Sequence, residues 1–169
     1  QSYEVATGKT RDLTGPLGVP FHNYDDDHPE PDSPYGLAGW TDNDNEVLVY
    51  DEFDIWKIAP ATGHAVCVTD SFGRQNHMRL RLQQLRRDDD RLWVDDEMML
   101  TATNTDTMAE GFFVDSVTRQ MKPQRLMLAD KNLGELTRPK KSSRVFFTQG
   151  TFAEFPDLWT AASDFTDQR

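Results

Sequence analysis

Apolar and polar residues alternate along much of this chain, in short runs separated by turn-forming residues. Met78-Arg79-Leu80-Arg81-Leu82 alternates strictly, the pattern of a strand with one buried face. Upstream, Leu37-Ala38-Gly39-Trp40, Glu46-Val47-Leu48-Val49-Tyr50, Ile55-Trp56-Lys57-Ile58 and His64 to Val68 are predicted strands. The segments between them, Thr41 to Asn45 and Asp51-Glu52-Phe53-Asp54, are rich in Asp and Asn, whose side chains bond nearby backbone and tolerate left-handed conformations. Downstream, the pattern predicts strands at Arg91-Leu92-Trp93-Val94, Met98 to Thr103, Gly111-Phe112-Phe113-Val114, Arg125-Leu126-Met127-Leu128, Ser143 to Thr148 and Asp157 to Thr160. No segment of ten or more residues carries a helical period. The chain is therefore read as all-β.

One phrase returns. Ala6-Thr7-Gly8-Lys9-Thr10-Arg11-Asp12-Leu13-Thr14 has a counterpart 55 residues later in Ala61-Thr62-Gly63-His64-Ala65-Val66-Cys67-Val68-Thr69. A Thr-Gly turn followed by a short alternating run, recurring in phase, is how propeller blades look in sequence. The predicted fold is a partial β-propeller of three to four four-stranded antiparallel blades. Its units fall at about 1–14, 36–70, 77–130 and 143–169, with a long acidic, Pro-rich loop over 15–35. The first unit has no predicted strand before it, so the chain is expected to begin inside a blade and to be part of a larger protein. Asp54-Ile55-Trp56 and Asp157-Leu158-Trp159 mark equivalent places, each at the start of a third strand. There the aspartate would hold a tight turn, and the tryptophan would lie largely buried between blades.

The charge narrows the partners. The chain has 169 residues and a net charge of -11, with 21 Asp against 8 Glu and 12 Arg against 6 Lys. Nucleic acid is excluded as a partner, because phosphate binding needs basic clusters. Arg86-Arg87 is cancelled at once by Asp88-Asp89-Asp90. The acidic, Lys-poor balance fits either salt adaptation or a GC-rich genome. No apolar run is long enough for a membrane span. One cysteine, Cys67, excludes an internal disulfide and reads as a small strand hydrophobe.

Gly39-Trp40-Thr41-Asp42-Asn43-Asp44 followed by Tyr50-Asp51-Glu52-Phe53-Asp54-Ile55-Trp56 resembles a propeller segment of large bacterial peptidases of the prolyl oligopeptidase family. Val68-Thr69-Asp70, Gly73-Arg74 and Phe155-Pro156-Asp157-Leu158-Trp159 are similar to later stretches of that segment, in order over residues 36–160. The resemblance implies a propeller that precedes an α/β-hydrolase domain and restricts which peptides reach its active site. No catalytic residue carries over. The chain lacks a Gly-x-Ser-x-Gly nucleophile elbow, and none of its seven serines has that setting.

Other candidates have simpler readings. Asp25-Asp26-Asp27-His28 and Asp42-Asn43-Asp44-Asn45-Glu46 look like cation loops but lack the spacing of calcium ligands, so they read as a solvated loop and a hairpin turn. His22, His28, His64 and His77 show no metal spacing. Trp40, Trp56, Trp93 and Trp159 fit packing better than a sugar-stacking surface. Gly73-Arg74 follows a blade's closing strand, where Arg74 would pair with a neighbouring blade's aspartate or face a peptide carboxylate.

The expected function is that of the non-catalytic propeller portion of a prolyl oligopeptidase-like serine peptidase, with no cofactor and no metal. Its expected partners are a hydrolase domain, a peptide substrate and, through open blade edges, a second copy of the chain. Two alternatives stand beside it: a TolB-like protein-interaction propeller and a glycan-active propeller enzyme with a carboxylate pair. The resemblance alone favours an extracytoplasmic location.

Overall fold

The computed structural model describes residues 1–25, 27, 29, 31–41, 44–85 and 97–169. It is a partial β-propeller. Strands β1 (Ser2–Glu4) and β2 (Lys9–Arg11) form a hairpin. The first full sheet is a meander of β3 (Leu37–Trp40), β4 (Val47–Tyr50), β5 (Ile55–Ile58) and β6 (Ala65–Cys67). A single helical turn, α1 (Phe72–Gln75), leads to the second sheet of β7 (Met78–Leu82), β8 (Glu97–Asn104), β9 (Glu110–Ser116) and β10 (Gln124–Ala129). A third sheet follows, of β11 (Asn132–Thr137), β12 (Arg144–Gly150) and β13 (Asp157–Ala162). All pairings among the described strands are antiparallel, and neighbours in each sheet are successive in the chain.

Two cores hold the sheets face to face. Leu48, Tyr50 and Ile55 of the first sheet pack with Met78, Leu80, Leu100 and Phe113 of the second. Met99 and Phe112, on the other face of that second sheet, pack with Val145, Phe147 and Ala161 of the third. The middle sheet is thus buried on both faces, which is why its strands read as unbroken apolar runs such as Met98-Met99-Leu100. Phe112, Phe147 and Phe165 join the second and third sheets as an aromatic cluster with ring centroids 4.9 to 5.8 Å apart.

The repeated phrase has a structural basis. Gly8 and Gly63 both take positive φ, at 69° and 80°. Their amides donate at 2.8 Å to Glu4 O and Ala59 O, so the β1–β2 turn matches the β5–β6 turn. The first copy does have a strand before it, contrary to the sequence reading, because β1 pairs with β2 over Ser2–Arg11.

A second repeat is invisible as sequence identity. At the end of the second strand of each of the three larger sheets, one side-chain oxygen accepts from the amides two and three residues on. Asp51 Oδ1 takes Phe53 N and Asp54 N at 2.7 and 2.6 Å. Asn104 Oδ1 takes Asp106 N and Thr107 N at 3.0 and 2.8 Å. Thr151 Oγ1 takes Ala153 N and Glu154 N at 3.2 and 3.0 Å. Three residue types start three hairpins in one way.

Other expectations need correction. The third sheet starts at Asn132, not 143, because β11 supplies a strand the pattern did not show. The outer edge of β13 is partly covered, since Thr160 and Arg169 exchange backbone bonds at 2.9 and 3.0 Å. The predicted strand 91–94 with Trp93, and the Arg86 to Asp90 turn, lie outside the described residues.

Candidate functional site

The 51–54 turn between β4 and β5 organises the most connected polar cluster on one end of the first two sheets. Besides its two turn amides, Asp51 accepts from Trp56 Nε1 at 3.0 Å and Arg74 Nη2 at 3.1 Å through Oδ2. Asp54 accepts from Thr69 Oγ1 at 2.7 Å, Gly73 N at 2.8 Å and Arg74 N at 3.0 Å. Both aspartates are 1% exposed. Burial pushes the Asp54 carboxyl above the usual range, against the pull of those donors. The two carboxylates bind the turn to α1, and their oxygens are occupied by protein donors.

Gly73 makes this junction possible. A Cβ there would lie 2.6 Å from Phe53 O and 2.7 Å from Met78 O, so only glycine lets the helical turn sit on the hairpin. The Asp70-Ser71 corner before it takes positive φ at both residues, 49° and 57°.

The outward side of the cluster is built by arginines and aromatic rings. Glu52 accepts from Arg79 Nη2 and Tyr24 Oη, both at 3.3 Å. Arg81 donates to Leu80 O at 2.7 Å and Glu52 O at 3.2 Å, and lies over the Tyr50 and Tyr35 rings at 4.6 and 5.9 Å. Arg74 lies 5.2 Å from the Phe53 ring centroid. The Tyr24 phenol is pushed up by the Glu52 charge and its hydrogen bond. Desolvation first, and then the Glu52 charge, raise the Tyr35 phenol.

Sequence reasoning singled out Asp54, Trp56 and Arg74 separately, and the structure brings them together. Arg74 reaches Asp51 at the end of the first sheet. Trp56 is half-buried, not largely buried, with its indole N–H on Asp51 and its ring edge-on to Phe21 at 6.0 Å. Asp157 and Trp159 lie in β13, the third strand of its sheet, but not at the register of Asp54 and Trp56: Trp56 pairs with Val49 two residues before Asp51, whereas Trp159 pairs with Phe147 four residues before Thr151, and Asp157 is exposed and Trp159 half-buried. Missing from the sequence reading were Asp51, Glu52, Thr69, Tyr24, Tyr35, Arg79 and Arg81. The Asp-x-x-Asp-x-Trp spacing was the available signal for Asp51.

The remaining candidates stand apart. His22 lies 3.5 Å from Asp32 and His77 2.7 Å from Asp106, both pairs exposed. His28, Asp26, Asp42 and Asn43 are outside the described residues. Among the described residues, no three His, Cys, Asp or Glu side chains are grouped so as to hold a metal ion. Cys67 is half-buried, accepts from Ser71 N at 3.3 Å, and has its thiol pushed up by burial. No helix in the described residues is long and apolar enough to cross a membrane.

Sheets of four or fewer antiparallel strands, packed face to face in succession, define the β-propeller class. A solved propeller enzyme agrees in shape: the structure titled oligogalacturonate lyase in complex with manganese matches with a TM-score of 0.51 at 12% identity. The match covers 80% of this chain and 39% of that one, so this chain spans about two fifths of its neighbour. No family model matches the sequence. No curated protein matches it at a significant level.

Proposed function

We propose that this chain recognises a ligand and leaves its chemistry to another domain, as the propeller portion of a prolyl oligopeptidase-like peptidase that gates or holds peptide substrate for an α/β-hydrolase domain. One observation carries the reading. The buried carboxylates at the centre of the cluster, Asp51 and Asp54, are engaged by protein donors, and the outward carboxylate, Glu52, is held between Arg79 and Tyr24, so the groups left to meet a ligand are arginine and tyrosine, which bind and orient. General acid–base work needs a carboxyl free to reach substrate, and neither Asp51 nor Asp54 is. The resemblance over residues 39–56 supports a peptide ligand.

A second reading, a glycan-active propeller, is favoured by the oligogalacturonate lyase neighbour. Both are tested by incubating the purified chain with chromogenic aminoacyl and prolyl peptides and, separately, with oligogalacturonate, while binding is followed by calorimetry. The expected outcome is saturable peptide binding with no turnover of either substrate. Turnover of oligogalacturonate would establish the second reading, and peptide hydrolysis sensitive to a serine-directed inhibitor would overturn the non-catalytic one.

A further inference from the structure

Three of the twelve arginines, Arg74, Arg79 and Arg81, fall within eight residues of one another and all turn to the 51–54 hairpin. Arg79 and Arg81 share a face of β7, because Met78 and Leu80 alternate with them into the core. The three are not equivalent. Arg81 is committed to the framework by two backbone carbonyls and two rings. Arg74 and Arg79 each engage a described residue through Nη2 alone, and their side chains remain 38% and 45% exposed. A guanidinium has five N–H groups in a fixed fork, so both keep donors that no described residue accepts.

Tyr24 ties the two together. Its hydroxyl bonds Glu52, the partner of Arg79, and its phenol feels the charge of Arg74. The local charge also differs from that of the chain. Three guanidinium groups face the four carboxylates of Asp25, Asp51, Glu52 and Asp54, a balance of -1 within a protein of net charge -11. An anion approaching here meets spare guanidinium donors at the point where the arginines are concentrated.

We infer that Arg74 and Arg79, with the Tyr24 and Phe53 rings beside them, form a subsite for the carboxylate of a small ligand. Arg79 offers its unused edge to both carboxylate oxygens, the arrangement that makes arginine the preferred carboxylate partner. Arg74 adds a second positive charge, and the exposed ring of Tyr24 covers the apolar part next to the carboxylate. The carboxylate comes from a peptide C terminus or from a uronic acid, and the chemistry at the arginines is the same. This subsite rests on the recognition reading above and names the group recognised.

The test is calorimetric titration of the whole chain with four probes: N-acetyl-Pro-Phe, its C-terminal amide, digalacturonic acid and the neutral digalactose. A free acid is expected to bind about tenfold or more tightly than its uncharged counterpart, and the acid that does so identifies the source. Arg79→Gln is expected to lose that preference. Arg79→Lys, which keeps the charge but not the fork, should retain part of it. Tyr24→Phe, which keeps the ring, should bind the acid as the parent chain does. Arg79 and Tyr24 are exposed enough for these variants to keep the fold, checked by far-UV circular dichroism, whereas Arg74→Ala would strip a cation from buried Asp51. Equal binding of acid and uncharged probe, or a preference that survives Arg79→Gln, overturns the subsite and leaves the recognition reading standing. No binding by any probe overturns both.

Discussion

Replacing Asp115 with asparagine should make the protein more stable at neutral pH and change little at acid pH. Asp115 lies on β9 opposite Met98, on the face turned to the first sheet, and is 2% exposed. Its Oδ1 accepts from Ser116 N at 2.7 Å, whereas Oδ2 is buried without a partner among the described residues. Desolvation, with a smaller push from the Asp70 charge, raises the carboxyl from 3.8 to about 7. Lys57 of β5, which reaches this sheet at Val117 O at 3.3 Å, is paired with Glu46 at 3.4 Å. Below about pH 4 the group is protonated in both folded and unfolded chains, and its full contribution is present. As pH rises, the unfolded chain ionises freely while the folded one resists, so stability is lost progressively and levels off above about pH 7. At about 1.4 kcal/mol per pH unit the gap corresponds to about 4 kcal/mol. Relaxation and water entry on ionisation reduce this, so ~2 kcal/mol is the working figure. Urea denaturation of both proteins from about pH 4.5 to pH 8 isolates the effect, because every other carboxyl titrates in both and cancels in the difference. A difference that stays constant with pH, or shrinks as pH rises, would refute the reasoning.

Two other substitutions probe the scaffold. Gly73→Ala gains about 0.5–1 kcal/mol of intrinsic helix preference but forces a methyl against Phe53 O and Met78 O, so a net loss of about 2 kcal/mol is expected by thermal or chemical denaturation; a stabilised variant would show that the junction yields. Asn104→Ala removes an acceptor shared by Asp106 N, Thr107 N and Thr107 Oγ1, at a cost of about 1 kcal/mol in the same assay. Restoration of that loss by Asn104→Asp and not by Asn104→Leu would assign it to the acceptor.

The strands of the first sheet were legible because they are short runs rich in apolar, β-branched and aromatic residues set off by turn-forming segments, which localise Leu37–Trp40 and Ile55–Ile58 to the residue. Strand β11 was hidden by its interior Gly134. A Cβ there would stand 2.9 Å from Thr148 Oγ1 on the paired strand β12, so a larger residue would have to push that side chain aside, a constraint set by a residue far off in sequence. The same limit applies to the cluster. Asp54 and Arg74 stood out through local motifs, but Tyr24, Glu52, Arg79 and Arg81 come from a loop, a turn and a strand of another sheet, and only the packing of two sheets brings them together.

The three hairpins that open on Asp51, Asn104 and Thr151 ask for an oxygen of the right reach, not for a particular amino acid. Asp and Asn codons, and Asn and Thr codons, interconvert by single-base changes, so each exchange keeps an oxygen at the turn at every step. Residue identity at these turns can therefore change while the hairpin keeps its bonds, and the likeness of the three sheets is carried by geometry where the letters differ.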